Sequence, residues 1–568
     1  MMLKGTGASD GIGIGKALKL TDQPIVYEDV KVADPAAEKE RLHAAVQVFC
    51  EKNEARAKQM DASGADGEIL RGHIAMLSDP YMLSQMNEQI DRGTCAEKAV
   101  DTVCDMFIAA FQATDDAFTQ QRAVDVTDIK KELQKLLLGI EEVHLDHLPP
   151  DTVLIVEELT PSMTAEIDRA HVSGIVTERG GRTSHAAILS RSLKIPAVLG
   201  VANALAQISS GEELIVDGNA GEVYTDIDET MRAHFAAAQK RFAEKTALEE
   251  KYRGKPTATK DGISKKLYAN IGSPKDLEAV LAGDAEGVGL FRTEFLFLDR
   301  SSMPTEEEQF EAYRTVAAGM RGREVVIRTL DVGGDKDIPY LNLKKEENPF
   351  MGFRAVRYCL ANSDVYKAQL RAILRASAYG NVAVMVPLVT RVDEICAVRA
   401  LVKELQGELR EKNIPYKEDL KVGVMMETPA ACMIADLLAE HADFFSIGTN
   451  DLTGYVMAAD RGNADVSYLY SPLDPAVLRA IQHIIGAAAK KGIPCGMCGE
   501  AAADLHMLPM LVAFGLEEFS VNPSSVLSVR RALAALDSVS CTAVAKKVLS
   551  LETEQEVRAC LSDLQTEN

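Results

Sequence analysis

At 568 residues the chain is longer than one hydrophobic core usually supports, and its length predicts roughly three or four domains. Its composition, 47% hydrophobic and 26% charged, is that of a globular protein with no apolar run long enough to span a bilayer, and its net charge of −23 argues against a nucleic-acid partner, which requires a basic face. Ten irregularly spaced cysteines suggest neither a disulfide framework nor a zinc site, and the glycines and charges of the first 20 residues do not make a signal peptide, so a cytoplasmic protein is expected.

Residues 1–30 and 139–226 share short apolar runs separated by turn signals: Val153–Val156, Gly174–Thr177, Ala197–Leu199, Leu214–Val216 and Glu222–Tyr224. They read as strands of one α/β domain. Between them, residues 31–138 change to helical spacing. Asp34-Pro35 suits a helix start, and Thr94 to Glu97 has the pattern of a capping box. Val100, Val103, Phe107 and Phe111 recur three or four apart, as do Ile129, Leu133, Leu136 and Leu137. A helical subdomain inserted into the α/β domain is therefore expected. In ILRGHIAML, the apolar residues Ile69, Leu70, Ile74 and Leu77 are read mainly as facing the bundle core.

Residues 227–254 are polar and alanine-rich without a strand-like run, and predict a helical linker. From 255 to 568, eight apolar runs alternate with helical stretches. They are Lys266–Ile271, Gly287–Arg292, Val325–Leu330, Val382–Pro387, Val422–Met426, Phe444–Ile447, Ile493–Met497 and Glu518–Val521, a pattern predicting a (β/α)8 TIM barrel. Barrel chemistry belongs where strands end. Arg328 lies near the end of its run, and Arg292, Glu427, Asn450, Asp451 and Cys498 fall at or just beyond the ends of theirs. Planar arginines suit phosphate and carboxylate oxygens, and paired carboxylates suit a hard cation such as Mg²⁺.

The most distinctive segment is GGRTSHAAILSR, residues 180–191, between the apolar run GIVTE and a predicted helix. It places His185 at a helix start, where free backbone N–H groups and the dipole would favour a phosphorylated imidazole. Taken alone, Thr183 or Ser184 could merely cap that helix.

This segment, with KIPAVLG after it, resembles the phosphohistidine segment of the phosphoenolpyruvate-utilising enzymes. Within them the chain resembles the enzyme I family of the bacterial sugar phosphotransferase system. The resemblance runs through ASDGIGIGKA, GLFRTEFLF, IRTLDVGGDK, NPFMGFRAVR, METPAA, GTNDLTGY, AADRGN and CGMCGE. It implies that phosphoenolpyruvate phosphorylates His185 on Nε2, that the phosphoryl group passes to the phosphocarrier protein HPr, and that this starts sugar uptake. It also implies Thr164 near that histidine. Arg292, Arg328, Asn450, Asp451 and Arg461 are implied to bind substrate, Glu427 and Asp451 to bind Mg²⁺, and Cys498 to protonate the enolpyruvate carbon. The helical insert is implied to dock HPr, and the barrel to form a homodimer. Arg354 is a weaker phosphate candidate.

Cys495-Gly496-Met497-Cys498 also matches a redox C-x-x-C pattern, but a redox pair would open a helix rather than sit at a barrel strand end. Asp10, Gly454 and Val456 depart from the family pattern without removing a catalytic group. A dikinase sharing the histidine domain would need an ATP-binding domain. The 31–138 insert is too short and wrongly patterned for one, and no G-x-x-x-x-G-K-[ST] loop is present.

Overall fold

The computed structural model describes the chain except residues 21–24, 26, 29, 63–67, 115–116, 141–144, 146–147, 160–162, 164–166, 169, 182–185, 188–189, 191–192, 299, 301, 334–337, 342 and 567–568. The chain divides into two compact units, Met1–Thr246 and Ala247–Asn568. Among the described residues no helix is long and apolar enough to cross a membrane.

The first unit opens with β1 (Met2–Lys4), β2 (Thr6–Ser9) and β3 (Ile12–Leu20), and resumes its sheet with β4 (Thr152–Val156), β5 (Val172–Thr177), β6 (Ala197–Leu199), β7 (Glu213–Asp217) and β8 (Glu222–Tyr224). The strand order is β1-β8-β7-β3-β4-β5-β6-β2, parallel from β3 to β6 and antiparallel at both flanks. Alternation along the central strands feeds two cores. Leu154, Val156 and Ile175 pack into one, and Val153, Ile155 and Val176 into the other, as the period of two requires. The glycines of β3 have a steric cause. A Cβ at Gly15 would lie 1.9 Å from the Asp151 carbonyl oxygen, where the neighbouring backbone crosses the strand.

Five helices stand between β3 and β4: α1 (Pro35–Ala62), α2 (Glu68–Leu77), α3 (Pro80–Asp91), α4 (Ala96–Gln112) and α5 (Ala117–Leu138). Asp34 caps α1, its Oδ1 accepting the N–H groups of Ala36 and Ala37 at 3.0 and 3.2 Å. The bundle core gathers Leu42, Phe49, Leu77, Met86, Val100, Val103, Ile129 and Leu133. Leu70 is buried as well, Ile74 is half-buried, and the side chain of Ile69 lies outside the described residues. The capping box expected at Thr94 is absent. Thr94 instead donates its hydroxyl to the Gln89 carbonyl, and Glu97 is held by Arg41 at 2.7 Å. The Glu38 carboxylate from α1 takes over the cap, accepting the N–H of Ala96 at 2.7 Å. An ion pair across the bundle has claimed the acid that a local cap would have used.

Helix α6 (Glu229–Glu250) buries none of its residues, and the boundary between the two units falls inside it.

The second unit is a closed barrel of eight parallel strands: β9 (Lys266–Ile271), β10 (Val288–Phe291), β11 (Glu324–Arg328), β12 (Asn381–Val386), β13 (Lys421–Met426), β14 (Phe445–Ile447), β15 (Cys495–Met497) and β16 (Glu518–Val521), with β16 pairing back onto β9. The TIM barrel expected from the alternating runs is thus present. Several strands are shorter than their apolar runs. Arg292, Thr329 and Leu330 lie beyond hydrogen-bonded strand, and Ile493 and Pro494 precede it. Side chains alternate between the lumen and the helix-facing layer. Leu290, Val326, Ala383, Met385, Met425 and Cys498 form the inner cluster, and Phe291, Val325, Ile327 and Val384 the outer.

Candidate active site at the barrel mouth

Six of the residues expected to act here stand at strand ends of one mouth, or just beyond them. Arg292 follows β10, Arg328 is the last residue of β11, Glu427 follows β13 and Cys498 follows β15. Asn450 and Asp451 open the helix Thr449–Met457 after β14, and Arg461 lies in the loop beyond that helix. His185 and Thr164 lie outside the described residues. Ala186 and Ala187, which follow the histidine, are helical and buried.

The centre of the mouth is a buried ion network. Arg328 Nη2 lies 2.9 Å from Glu294 Oε1, and its Nη1 lies 3.2 Å from Asp331 Oδ2. Asp331 Oδ1 also accepts two N–H groups from Arg354, from Nη2 at 2.7 Å and from Nε at 3.1 Å. Asp331 is therefore bridged by two guanidiniums. Glu294 Oε1 accepts the backbone N–H of Asp331 at 3.1 Å, which ties the two acids together. Burial opposes the charge on Arg328, but Glu294 and Asp331 outweigh it and hold the guanidinium above its ordinary pKa. Stranding one member of such a buried pair costs about 3–5 kcal/mol.

Two donors in this network, Arg328 Nε and Arg354 Nη1, are buried without a hydrogen-bond partner among the described residues. A buried unsatisfied donor costs about 1–3 kcal/mol, so both are suited to meeting an incoming acceptor.

Glu427 and Asp451 form the other half of the site. Glu427 is 2% exposed, and its Oε1 accepts the Leu388 N–H at 2.6 Å. Burial pushes its pKa well above the ordinary carboxylate range, Asp451 and Asp331 push it further, and Arg328 opposes them. Asp451 is likewise raised, first by burial and then by Asp331, against Arg354, Arg328 and Arg461. Two desolvated carboxylates that repel each other are suited to a divalent cation. Among the described residues no three His, Cys, Asp or Glu side chains converge into a cage. Glu427 and Asp451 are the two carboxylates at this mouth that could hold a divalent cation.

Cys498 closes the floor of the mouth. Burial pushes its thiol up to about 11, Glu427 adds to the shift, and Arg328 and Arg292 oppose it. It is therefore protonated at neutral pH and suited to giving a proton. Cys495, three residues earlier, packs in the outer core while Cys498 packs in the lumen, so the two thiols face opposite sides of the barrel wall. Both are free, and burial raises both, the reverse of a redox C-x-x-C pair. Asn450 is positioned by reciprocal bonds with Glu500: Nδ2 donates to Glu500 Oε1 at 3.3 Å, and Oδ1 accepts the Glu500 N–H at 3.1 Å.

Glu294, Asp331 and Glu500 were not singled out from sequence. Each stands within a few residues of a candidate, in FRTE, RTLD and CGE, and that adjacency was the available signal. Arg354, the weaker phosphate candidate of the sequence, lies at no strand end, yet the long loop after β11 returns it to the centre of the network.

The family comparisons set this barrel and the sheet domain before it among the phosphoenolpyruvate-utilising enzymes. Residues 246–538 match the PEP-binding domain of PEP-utilising enzymes, residues 148–221 their mobile domain, and residues 4–122 their N-terminal domain. The chain is 42% identical over 558 residues to the phosphoenolpyruvate-protein phosphotransferase of Listeria innocua, covering 98% of each chain. It is 44% identical to that of Geobacillus stearothermophilus, covering 98% of this chain and 96% of the relative, and 41% identical to that of Bacillus subtilis, covering 99% of each. The chain belongs to the phosphoenolpyruvate-protein phosphotransferase family, the enzyme I family of the phosphotransferase system.

Proposed function

We propose that this chain moves the phosphoryl group of phosphoenolpyruvate to Nε2 of His185 and then to a histidine of HPr, releasing pyruvate and starting sugar uptake. Arg292, Arg328 and Arg461, with Asn450 and Asp451, bind the substrate, and Arg354 joins them. The unused N–H groups of Arg328 and Arg354 support this reading, since phosphoryl transfer depends mainly on neutralising the equatorial oxygens. As Nε2 bonds to phosphorus, the bond from phosphorus to the enolpyruvate oxygen breaks, and the enolate carbon takes the thiol proton of Cys498. The lumen-facing position of Cys498 beside Arg328 and Arg292, with its thiol protonated at neutral pH, supports that role. Glu427 and Asp451 would hold Mg²⁺, which supplies positive charge to the phosphoryl oxygens when bound.

In this reading residues 1–30 and 139–226 form the phosphohistidine domain, residues 31–138 dock HPr, residues 227–254 are a helical linker, and residues 255–568 bind phosphoenolpyruvate and form a homodimer in the cytoplasm. What carries it is the convergence of arginines, a buried carboxylate pair and a protonated thiol at the mouth of a barrel in this family. Incubation with radiolabelled phosphoenolpyruvate and Mg²⁺, followed by HPr, tests it. Acid-labile label should reach the chain, then HPr, and absence of Mg²⁺-dependent labelling would refute it.

A further inference from the structure

An acid at the centre of an anion-binding mouth needs a reason. Asp331 is 4% exposed, repels any incoming phosphate, and adds to the strain on Glu427 and Asp451. Its contacts give the reason. Arg354 Nη2 lies between two carboxylates, 2.7 Å from Asp331 Oδ1 and 3.9 Å from Asp451 Oδ2. Arg328, which also acts on Glu427, is turned toward Glu294 and Asp331. Whichever carboxylate wins these guanidiniums is closed to a cation.

We propose that Asp331 is a positioning residue that clamps Arg328 and Arg354 and so keeps their guanidiniums off Glu427 and Asp451, leaving that pair open to a divalent cation. The inference rests on reading Glu427 and Asp451 as the cation ligands. Glu294 assists by accepting both Arg328 Nη2–H and the Asp331 backbone N–H. Two features fit a clamp better than a simple structural pair. Asp331 holds two cations rather than one, and each guanidinium still keeps one buried donor unused, so clamping fixes them without consuming every donor a ligand would need. Without the clamp, Arg354 has Asp451 as its nearest remaining acid and would pair with it.

Mn²⁺ alone, titrated into the full-length protein and followed by the EPR signal of free Mn²⁺, tests this without any turnover. Asp331→Asn should weaken Mn²⁺ binding about tenfold or more, the scale seen when an outer-shell partner is lost. Adding Arg354→Gln should restore wild-type affinity, because no arginine is then free to occupy Asp451. Adding Arg461→Gln instead restores the same net charge but no clamp, and should leave binding weak. Arg354→Gln alone should bind Mn²⁺ at least as tightly as wild type, which keeps the test available if Asp331→Asn misfolds. Wild-type binding by Asp331→Asn, equal rescue by the two arginine changes, or weakened binding by Arg354→Gln would each overturn the clamp. Glu427→Gln separates the two levels: if it binds Mn²⁺ like wild type, the cation site itself is misassigned and the clamp falls with it.

Discussion

Glu427 accepts the backbone N–H of Leu388 at 2.6 Å, joining the loop after β12 to the end of β13. Leu388 has a φ of 54°, a left-handed conformation that a leucine adopts only when its surroundings impose it. One oxygen of Glu427 is thus structural, and the proposed cation site would use the other. Glu427→Gln keeps an acceptor for Leu388 and should melt within a few degrees of wild type, yet lose Mg²⁺-dependent phosphorylation. Glu427→Ala leaves the Leu388 N–H without its partner and should lose about 1–3 kcal/mol as well. Thermal melting and phosphoenolpyruvate labelling of both variants would separate the roles, and equal melting points would remove the structural one.

Cys498→Ala should stop pyruvate formation while leaving phosphoryl exchange between His185 and HPr intact, because only the first reaction needs a proton on carbon. Pyruvate release at the wild-type rate would exclude the donor role.

The same thiol predicts a pH dependence. Its folded pKa is about 11, above the ordinary 9.0, so burial favours the protonated form. Its contribution to stability is full below pH 9, and shrinks as pH rises toward about 11, where the unfolded chain has already released the proton. In alkaline unfolding titrations, Cys498→Ser should therefore show a shallower loss of stability across that window. Parallel curves would contradict the buried-thiol assignment.

His185→Ala should fold normally and take no label from phosphoenolpyruvate under any Mg²⁺ concentration. Stoichiometric acid-labile labelling of that variant would place the nucleophile elsewhere.

A fragment ending near Glu250 keeps the histidine segment and the helical insert, and should exchange phosphoryl groups with phosphorylated HPr while ignoring phosphoenolpyruvate. The barrel fragment should bind phosphoenolpyruvate and Mg²⁺ without becoming labelled. The division of the chain into two compact units motivates the cut. Calorimetric binding and labelling of each fragment would check it, and direct labelling of the first by phosphoenolpyruvate would break the proposed division of labour.

The barrel was legible because its eight strands are buried on both sides and so read as continuous apolar runs, each followed by helical periodicity. The placement of Arg292, Arg328, Glu427 and Cys498 at one mouth was legible because each sits near the end of such a run, while the roles proposed for them came from the resemblance. Asp331 and Glu294 were not legible, since an acid two or three residues from an arginine is commonplace until the fold buries it. The local capping pattern at Thr94 misled for a related reason: Glu97 had a stronger distant partner in Arg41, which no short-range pattern reveals. Arg354 required a loop closure that periodicity does not encode.

The opposite facings of Cys495 and Cys498 have a bearing on oxidative damage. A dithiol on one surface can trap an oxidised sulfur as a disulfide and be reduced again. Among the described residues the thiol at the mouth has no second thiol on its own side of the wall, so a sulfenic acid formed on Cys498 could not be rescued by Cys495 and would be open to irreversible over-oxidation. Its protection lies in being 3% exposed and almost never ionised, which makes it a poor nucleophile toward peroxide. The burial that keeps the proton on this sulfur is then also what keeps the sulfur from being lost.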